Sequence, residues 1–281
     1  MDALVFLAVL SAAVFHASWN ALLKMRAEPR VATTLVAVAS AVVAAPLAAY
    51  AGIPPAAAWP WLLASVTIHI GYFLGLSAAY RVGDLGQVYP IARGTAPLLT
   101  AVIATYWLGE QLGPRGILGV IVLAGGILLL AVKGGRALQR FNGPAVAFAL
   151  LTSLTTTSYT LVDGVGARLS GNAVAYTTWL FVLSGVAMAI YGRLRIGAQL
   201  VEECKIHWPI ALGGGALSVA AYVIVVWAMT VAPIALVAAL RETSVLFAAV
   251  LGTVLLREPL RMIRVAAAGL VLTGVLLVRF Q

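Results

Sequence analysis

Three charged side chains stand inside long apolar runs of this chain: Arg93, Arg241 and its neighbour Glu242. A charge at such a position costs several kcal/mol unless it faces protein, water or a partner. One chemistry that keeps it there is recognition. A guanidinium can hold a carboxylate with two parallel hydrogen bonds, and Glu242 can accept a proton. The other is structural, with an arginine paired to Glu242 or to backbone carbonyls and tying parts of the molecule together. The arginines lie 148 positions apart, in stretches 84–129 and 232–277 that superimpose without a gap. A solute rarely needs two symmetric guanidinium groups, so the duplication favours a structural or gating role for Arg93 and Arg241. Glu242 has no counterpart in the first copy, where Gly94 stands, and is kept as a candidate contact for a solute.

Polar-tipped aromatics and histidines form the second group. His16 and Trp19 share a helix face at spacing three, as do His69 and Tyr72. Tyr89, Tyr159, Tyr222 and Trp227 lie too deep in their apolar runs to be interfacial anchors. Together they would line an aromatic, weakly polar cavity for a small organic solute. For each taken singly, core packing is the plainer reading. Pro90 and Pro97 each remove an amide donor and free a carbonyl upstream, which reads as a kinked segment beside a cavity. The run 152–160, TSLTTTSYT, carries hydroxyls at every position except Leu154. Some must bond back to their own helix, and the density suggests a wet cavity wall. Asp163 and Arg168, just beyond, are expected near the membrane surface. Glu110 and Glu258 close the two copies with the same L-x-E-x-L and suit loop amides or nearby arginines, Arg115 for the first and Arg257 and Arg261 for the second.

These residues need a scaffold, and composition identifies it. The chain has 281 residues, is 63% hydrophobic and only 10% charged, with mean hydropathy +1.04. That is too little charge to cover a water-facing surface, so the fold class is an all-α integral membrane bundle. Ten spans are expected, at 3–23, 31–50, 59–80, 85–108, 115–132, 144–162, 173–192, 208–229, 233–256 and 264–279. The segment 193–207 between two of them could form a short surface helix. Two halves, 1–135 and 136–281, hold five spans each. Five is odd, so the halves enter the membrane in opposite senses and form inverted repeats around a central cavity. Glycines in the fifth and tenth spans suggest close packing at the seam.

The net charge of +9 would suggest nucleic acid in a soluble protein. Here the basic residues sit in short loops, so no nucleic-acid partner is expected, only membrane lipid. Thirteen Lys and Arg fall in odd-numbered connections and three on the other side. That bias places both termini outside the cytoplasm. The basic residues follow the first apolar run, at Lys24, Arg26 and Arg30, which suits a retained first helix rather than a cleaved signal. Cys204 is alone and the three histidines lie in separate segments, so no metal site and no cofactor are expected. No phosphate-binding loop or hydrolase motif occurs, and the chain is not read as an enzyme.

The chain resembles the drug/metabolite transporter superfamily, in the branch with two EamA-type domains. The residues that carry the likeness are 96–130, APLLTAVIATYWLGEQLGPRGILGVIVLAGGILLL, and 242–278, ETSVLFAAVLGTVLLREPLRMIRVAAAGLVLTGVLLV, with Ser18-Trp19-Asn20 and Lys24 at the first helix. The resemblance implies a bacterial inner-membrane exporter of small metabolites, commonly amino acids, through a cavity between the halves; a monomer is compatible with the sequence, which does not give the oligomeric state. It also implies that the fifth and tenth helices support the fold. Four-helix relatives use a first-helix glutamate for proton coupling, and this first span holds only His16. Glu242 or His69 would have to substitute, or transport is facilitated. The alternatives are an antiporter of phosphorylated sugars or nucleotide-sugars and, in a different class, a membrane-embedded lipid-modifying enzyme.

Overall fold

Apolar runs of about twenty residues have one way to satisfy their backbone in lipid, and this chain takes it throughout. The computed structural model describes residues 1–23, 29–82, 85–131, 143–256 and 262–281. Its helices are α1 (Ala3–Leu23), α2 (Pro29–Ala51), α3 (Trp59–Val82), α4 (Leu85–Trp107), α5 (Pro114–Ala131) and α6 (Gly143–Ser170). They continue with α7 (Ala173–Arg195), α8 (Ala198–Val231), α9 (Ile234–Arg241), α10 (Ser244–Leu256) and α11 (Met262–Arg279). A short 3-10 turn, Ala56–Ala58, precedes α3. The ten expected spans are all present, and α9 with α10 makes the ninth. Lipid-facing positions carry large apolar side chains such as Leu4, Leu7, Leu151, Ile190, Leu272 and Leu276.

Two boundaries differ from the sequence reading. α6 runs on to Ser170 because the turn that ends it needs Gly171 at φ 65 and Asn172, whose side chain accepts from the Ala175 amide to cap α7. α8 begins at Ala198 and absorbs the expected surface helix. Its 34 residues span about 50 Å, well beyond the hydrocarbon core. The overhang is amphipathic, with Glu203 and His207 paired at 3.2 Å one turn apart. Gly197, at φ 72, makes the corner before it and donates to the Gly192 carbonyl at 3.0 Å.

The packing pattern is that of a pseudo-dyad. The first helix of the first half packs on the third of the second half, α1 on α8. The third packs on the first, α3 on α6. The second helices meet as α2 and α7, and the fifth as α5 and α11. Such reciprocal contact is what a two-fold relation between repeats requires. At the α5–α11 seam, a Cβ on Gly126 would sit 2.9 Å from the Val271 amide nitrogen, and one on Gly274 would sit 2.6 Å from that of Leu123. Backbones that close admit no side chain, as the glycine-rich spans suggested.

Candidate functional site

The site begins where α9 stops. No proline lies between Ile234 and Leu256, yet the helix breaks at Glu242-Thr243. The turn is held by bonds to the third residue back: Glu242 N to Ala239 O at 3.1 Å, Thr243 N to Leu240 O at 3.0 Å and Leu246 N to Thr243 O at 2.9 Å. The Thr243 hydroxyl also donates to Leu240 O at 2.7 Å. This tighter winding aims Glu242 at the first half. There Arg93 of α4 donates through Nη1 to both carboxylate oxygens, at 3.3 and 3.1 Å. Arg241 donates to the same carboxylate through Nη2 at 3.1 Å. Arg93 Nη2 also lies 3.1 Å from His16 Nε2 on α1. A guanidinium only donates, so Nε2 is the accepting nitrogen. Glu242 is 1% exposed, Arg241 4% and Arg93 8%. Three buried charges from both halves thus share one knot.

An aromatic cluster adjoins it. The Arg241 guanidinium carbon lies 5.6 Å from the centroid of the Tyr159 ring. Tyr159 meets His69 at 4.3 Å and Tyr72 at 5.9 Å between ring centroids. Tyr222 stands edge-on to His69 and to Phe181, both at 5.9 Å. His16 meets Trp19 edge-on at 5.3 Å. The structure therefore joins His16, Trp19, His69, Tyr72, Tyr159, Tyr222, Glu242, Arg93 and Arg241 in one connected region. Trp227 is elsewhere, packed between the two main apolar clusters. The Tyr89 side chain lies outside the described residues, as does all of Glu258.

Pro90 and Pro97 are both buried inside α4, which runs from Leu85 to Trp107. Three other readings of the sequence are corrected by position. The hydroxyl-rich run is not mainly a cavity wall. Ser153 and Thr157 donate across to Ala92 O and Ala96 O of α4, at 2.9 and 3.1 Å, in matching four-residue steps. Thr152, Thr155 and Ser158 bond back to carbonyls of their own helix. Glu110 does bind amides, those of Ile234 at 2.8 Å and Ala235 at 3.2 Å, and so caps α9. Its arginine is Arg168 at 2.8 Å, not Arg115, and Arg168 also holds the Met229 and Ala232 carbonyls.

The third matters most. Asp163, expected just beyond the span and near the membrane surface, lies inside α6 and is fully buried in protein, at 0% exposure. Tyr176 of α7 donates to its Oδ1 at 3.1 Å, and Tyr222 of α8 donates to its Oδ2 in a very short contact. A signal was available. Ser153, Thr156, Thr160, Asp163 and Ala167 recur at helical spacing and form one buried face of α6.

Helices long and apolar enough to cross a membrane, in two opposed sets with charges and hydroxyls buried at their seam, define a membrane transporter of small molecules. The comparisons carry this one step further. The chain belongs to the EamA-like transporter family, whose pattern matches residues 2–132 and 143–280. A 69-residue stretch is 36% identical to the multidrug resistance protein EbrA of Bacillus licheniformis, covering 24% of this chain and 66% of that relative. A crystal structure of another protein superposes with a TM-score of 0.72 at 16% identity, over 99% of this chain and 96% of that one. That likeness speaks for the fold alone.

Proposed function

We propose that the chain exports small zwitterionic metabolites, amino acids with aromatic or neutral side chains, across a bacterial inner membrane by alternating access between its halves. The observation that carries this is the aromatic cluster of Tyr72, Tyr159, Tyr222, His69 and Phe181 set directly against Arg241 and Glu242. The rings suit an apolar or aromatic side chain. A solute carboxylate would replace Glu242 on one guanidinium, and the ammonium group would take the carboxylate so released. Each exchange trades like for like, so occupancy need not leave a buried charge unpaired. The thirteen-to-three bias of loop Lys and Arg supports termini outside the cytoplasm.

A phosphorylated solute fits less well. Arg93 and Arg241 already share one carboxylate, which leaves little cationic charge for a dianion. A lipophilic organic cation is the reading with a second observation behind it, since buried Asp163 lies against the tyrosine cluster. The test is purified protein in liposomes loaded with labelled amino acids, with organic cations and sugar phosphates alongside. Efflux of neutral or aromatic amino acids is expected. Efflux of cations alone transfers the assignment to the second reading, and movement of no amino acid sinks the first.

A further inference from the structure

Two fully buried carboxylates among the described residues, Glu242 and Asp163, are held in opposite ways. Glu242 is gripped by Arg93 and Arg241, and guanidinium groups only donate. Protonating Glu242 would set a hydrogen against a donor and leave two cations short of a partner. Asp163 meets hydroxyls instead: Tyr176, Tyr222 and, from α3, Ser65. None of its described hydrogen bonds comes from a lysine or an arginine. A hydroxyl donates to a carboxylate and, after a small rotation, accepts from a carboxylic acid. The same heavy-atom arrangement therefore serves both forms of Asp163, and only one form of Glu242.

Asp163 is also connected. His69 Nδ1 donates to the Ser65 carbonyl at 3.0 Å and lies 3.1 Å from the Ser65 hydroxyl oxygen. That hydroxyl is thus placed between His69 and Asp163. Among the described residues, the titratable groups that meet the carboxyl are His69 on α3, Tyr176 on α7 and Tyr222 on α8; Tyr159 and Tyr72 stand one and two rings further, and Arg168, further along α6, is bound to Glu110. Beyond Tyr159 stand Arg241, Glu242 and Arg93. Tyr222 touches the carboxylate with its hydroxyl and the cluster with its ring.

From this geometry we infer that Asp163 is the protonation site that couples transport to the proton gradient. One proton from water converts the carboxylate to the acid. It returns to water when the ammonium group of a solute, held at Glu242, brings a cation to the other side of the Tyr159 and Tyr222 rings, so that the proton and the solute occupy the region in turn. The exchange rests on the export reading; the protonation site does not.

Infrared difference spectra of the protein in lipid, recorded between about pH 5 and pH 9, test the site whatever the solute. A protonated-carboxyl band that grows as pH falls is expected, absent in Asp163→Asn. A wild type with no such band, or an Asp163→Asn protein that keeps it, overturns the assignment. If Asp163→Asn does not fold, Tyr222→Phe serves: it should move the midpoint of the band by about one pH unit, and an unmoved midpoint counts against the site. For a solute that liposomes export, the wild-type transport rate should change about tenfold with pH across the titration of the band, and Asp163→Asn should make that rate independent of pH. A pH profile that Asp163→Asn leaves unchanged overturns the coupling role. A titrating band without transport of any amino acid keeps the site and fails the export reading instead.

Discussion

Helices 85–107 and 234–256 descend from one duplicated stretch, and they solved the same problem differently. The first contains Pro90 and Pro97 and stays continuous. The second, preceded by Pro233, contains no proline and breaks at Glu242-Thr243. Proline is therefore not what decides where this backbone yields. In the first copy, cross-helix hydroxyls from Ser153 and Thr157 bond to the backbone flanking Arg93 and brace it. In the second, Glu242 must reach Arg93 on α4 while Arg241 faces the Tyr159 ring on α6, and a tight turn lets them. The copies share an arginine, but only one owns the carboxylate that both arginines need. The asymmetry is what turns two similar halves into one site.

The sharpest way to break this difference is Glu242→Gln. It leaves two guanidinium groups buried without their counter-charge, so a loss of about 3–5 kcal/mol is expected. Thermal unfolding in detergent would register it, and an unchanged midpoint would mean the knot is not structural. Next come the arginines taken separately. Arg93 holds Glu242 across the halves with two hydrogen bonds and meets His16 within its own half, whereas Arg241 donates to the carboxylate next to it in sequence. Arg93→Gln should lose about 2–3 kcal/mol and Arg241→Gln about half of that, with the larger transport defect in Arg241→Gln because it faces Tyr159. The reverse order in both assays would refute the division of labour. Glu110→Gln weakens the cap of α9 and removes its ion pair, for about 1–2 kcal/mol; chemical denaturation of the protein in detergent reads it. The smallest effect belongs to Pro97→Ala. Restoring one backbone donor inside a helix that runs through the proline should change stability by less than about 1 kcal/mol, and a marked loss of transport would make Pro97 a working part.

Most of the scaffold could be read in advance because membrane spans announce themselves by apolar length, and lipid leaves the backbone no other choice. The start of α8 was hidden for the opposite reason. Its first turns lie beyond the apolar run, where amphipathic pattern and not hydropathy marks a helix. The connected site was half visible. His16, His69, Tyr72, Tyr159, Tyr222 and Glu242 were singled out by type and depth, and the structure brings them together. Asp163 is hard to place from sequence because the apolar run ends eight residues before α6 does, so a buried face looks like a loop. Depth alone singles out Trp227, and depth does not distinguish a ring facing the site from one packed between apolar clusters. The break after Arg241 had no sequence marker, since it depends on where the partners of two charges stand in three dimensions.

One eight-residue segment deserves a last consequence. α9 lies in the second half of the sequence, yet first-half side chains hold both its ends: Glu110 on its leading amides and Arg93 on Glu242 just past its close. It is a rod of about 12 Å, pinned top and bottom to the opposite repeat. A rocking motion that separates the halves as rigid bodies must therefore unpin it somewhere. The bodies that move need not coincide with the halves that were duplicated, and alternation becomes a matter of which pin lets go on which side of the membrane.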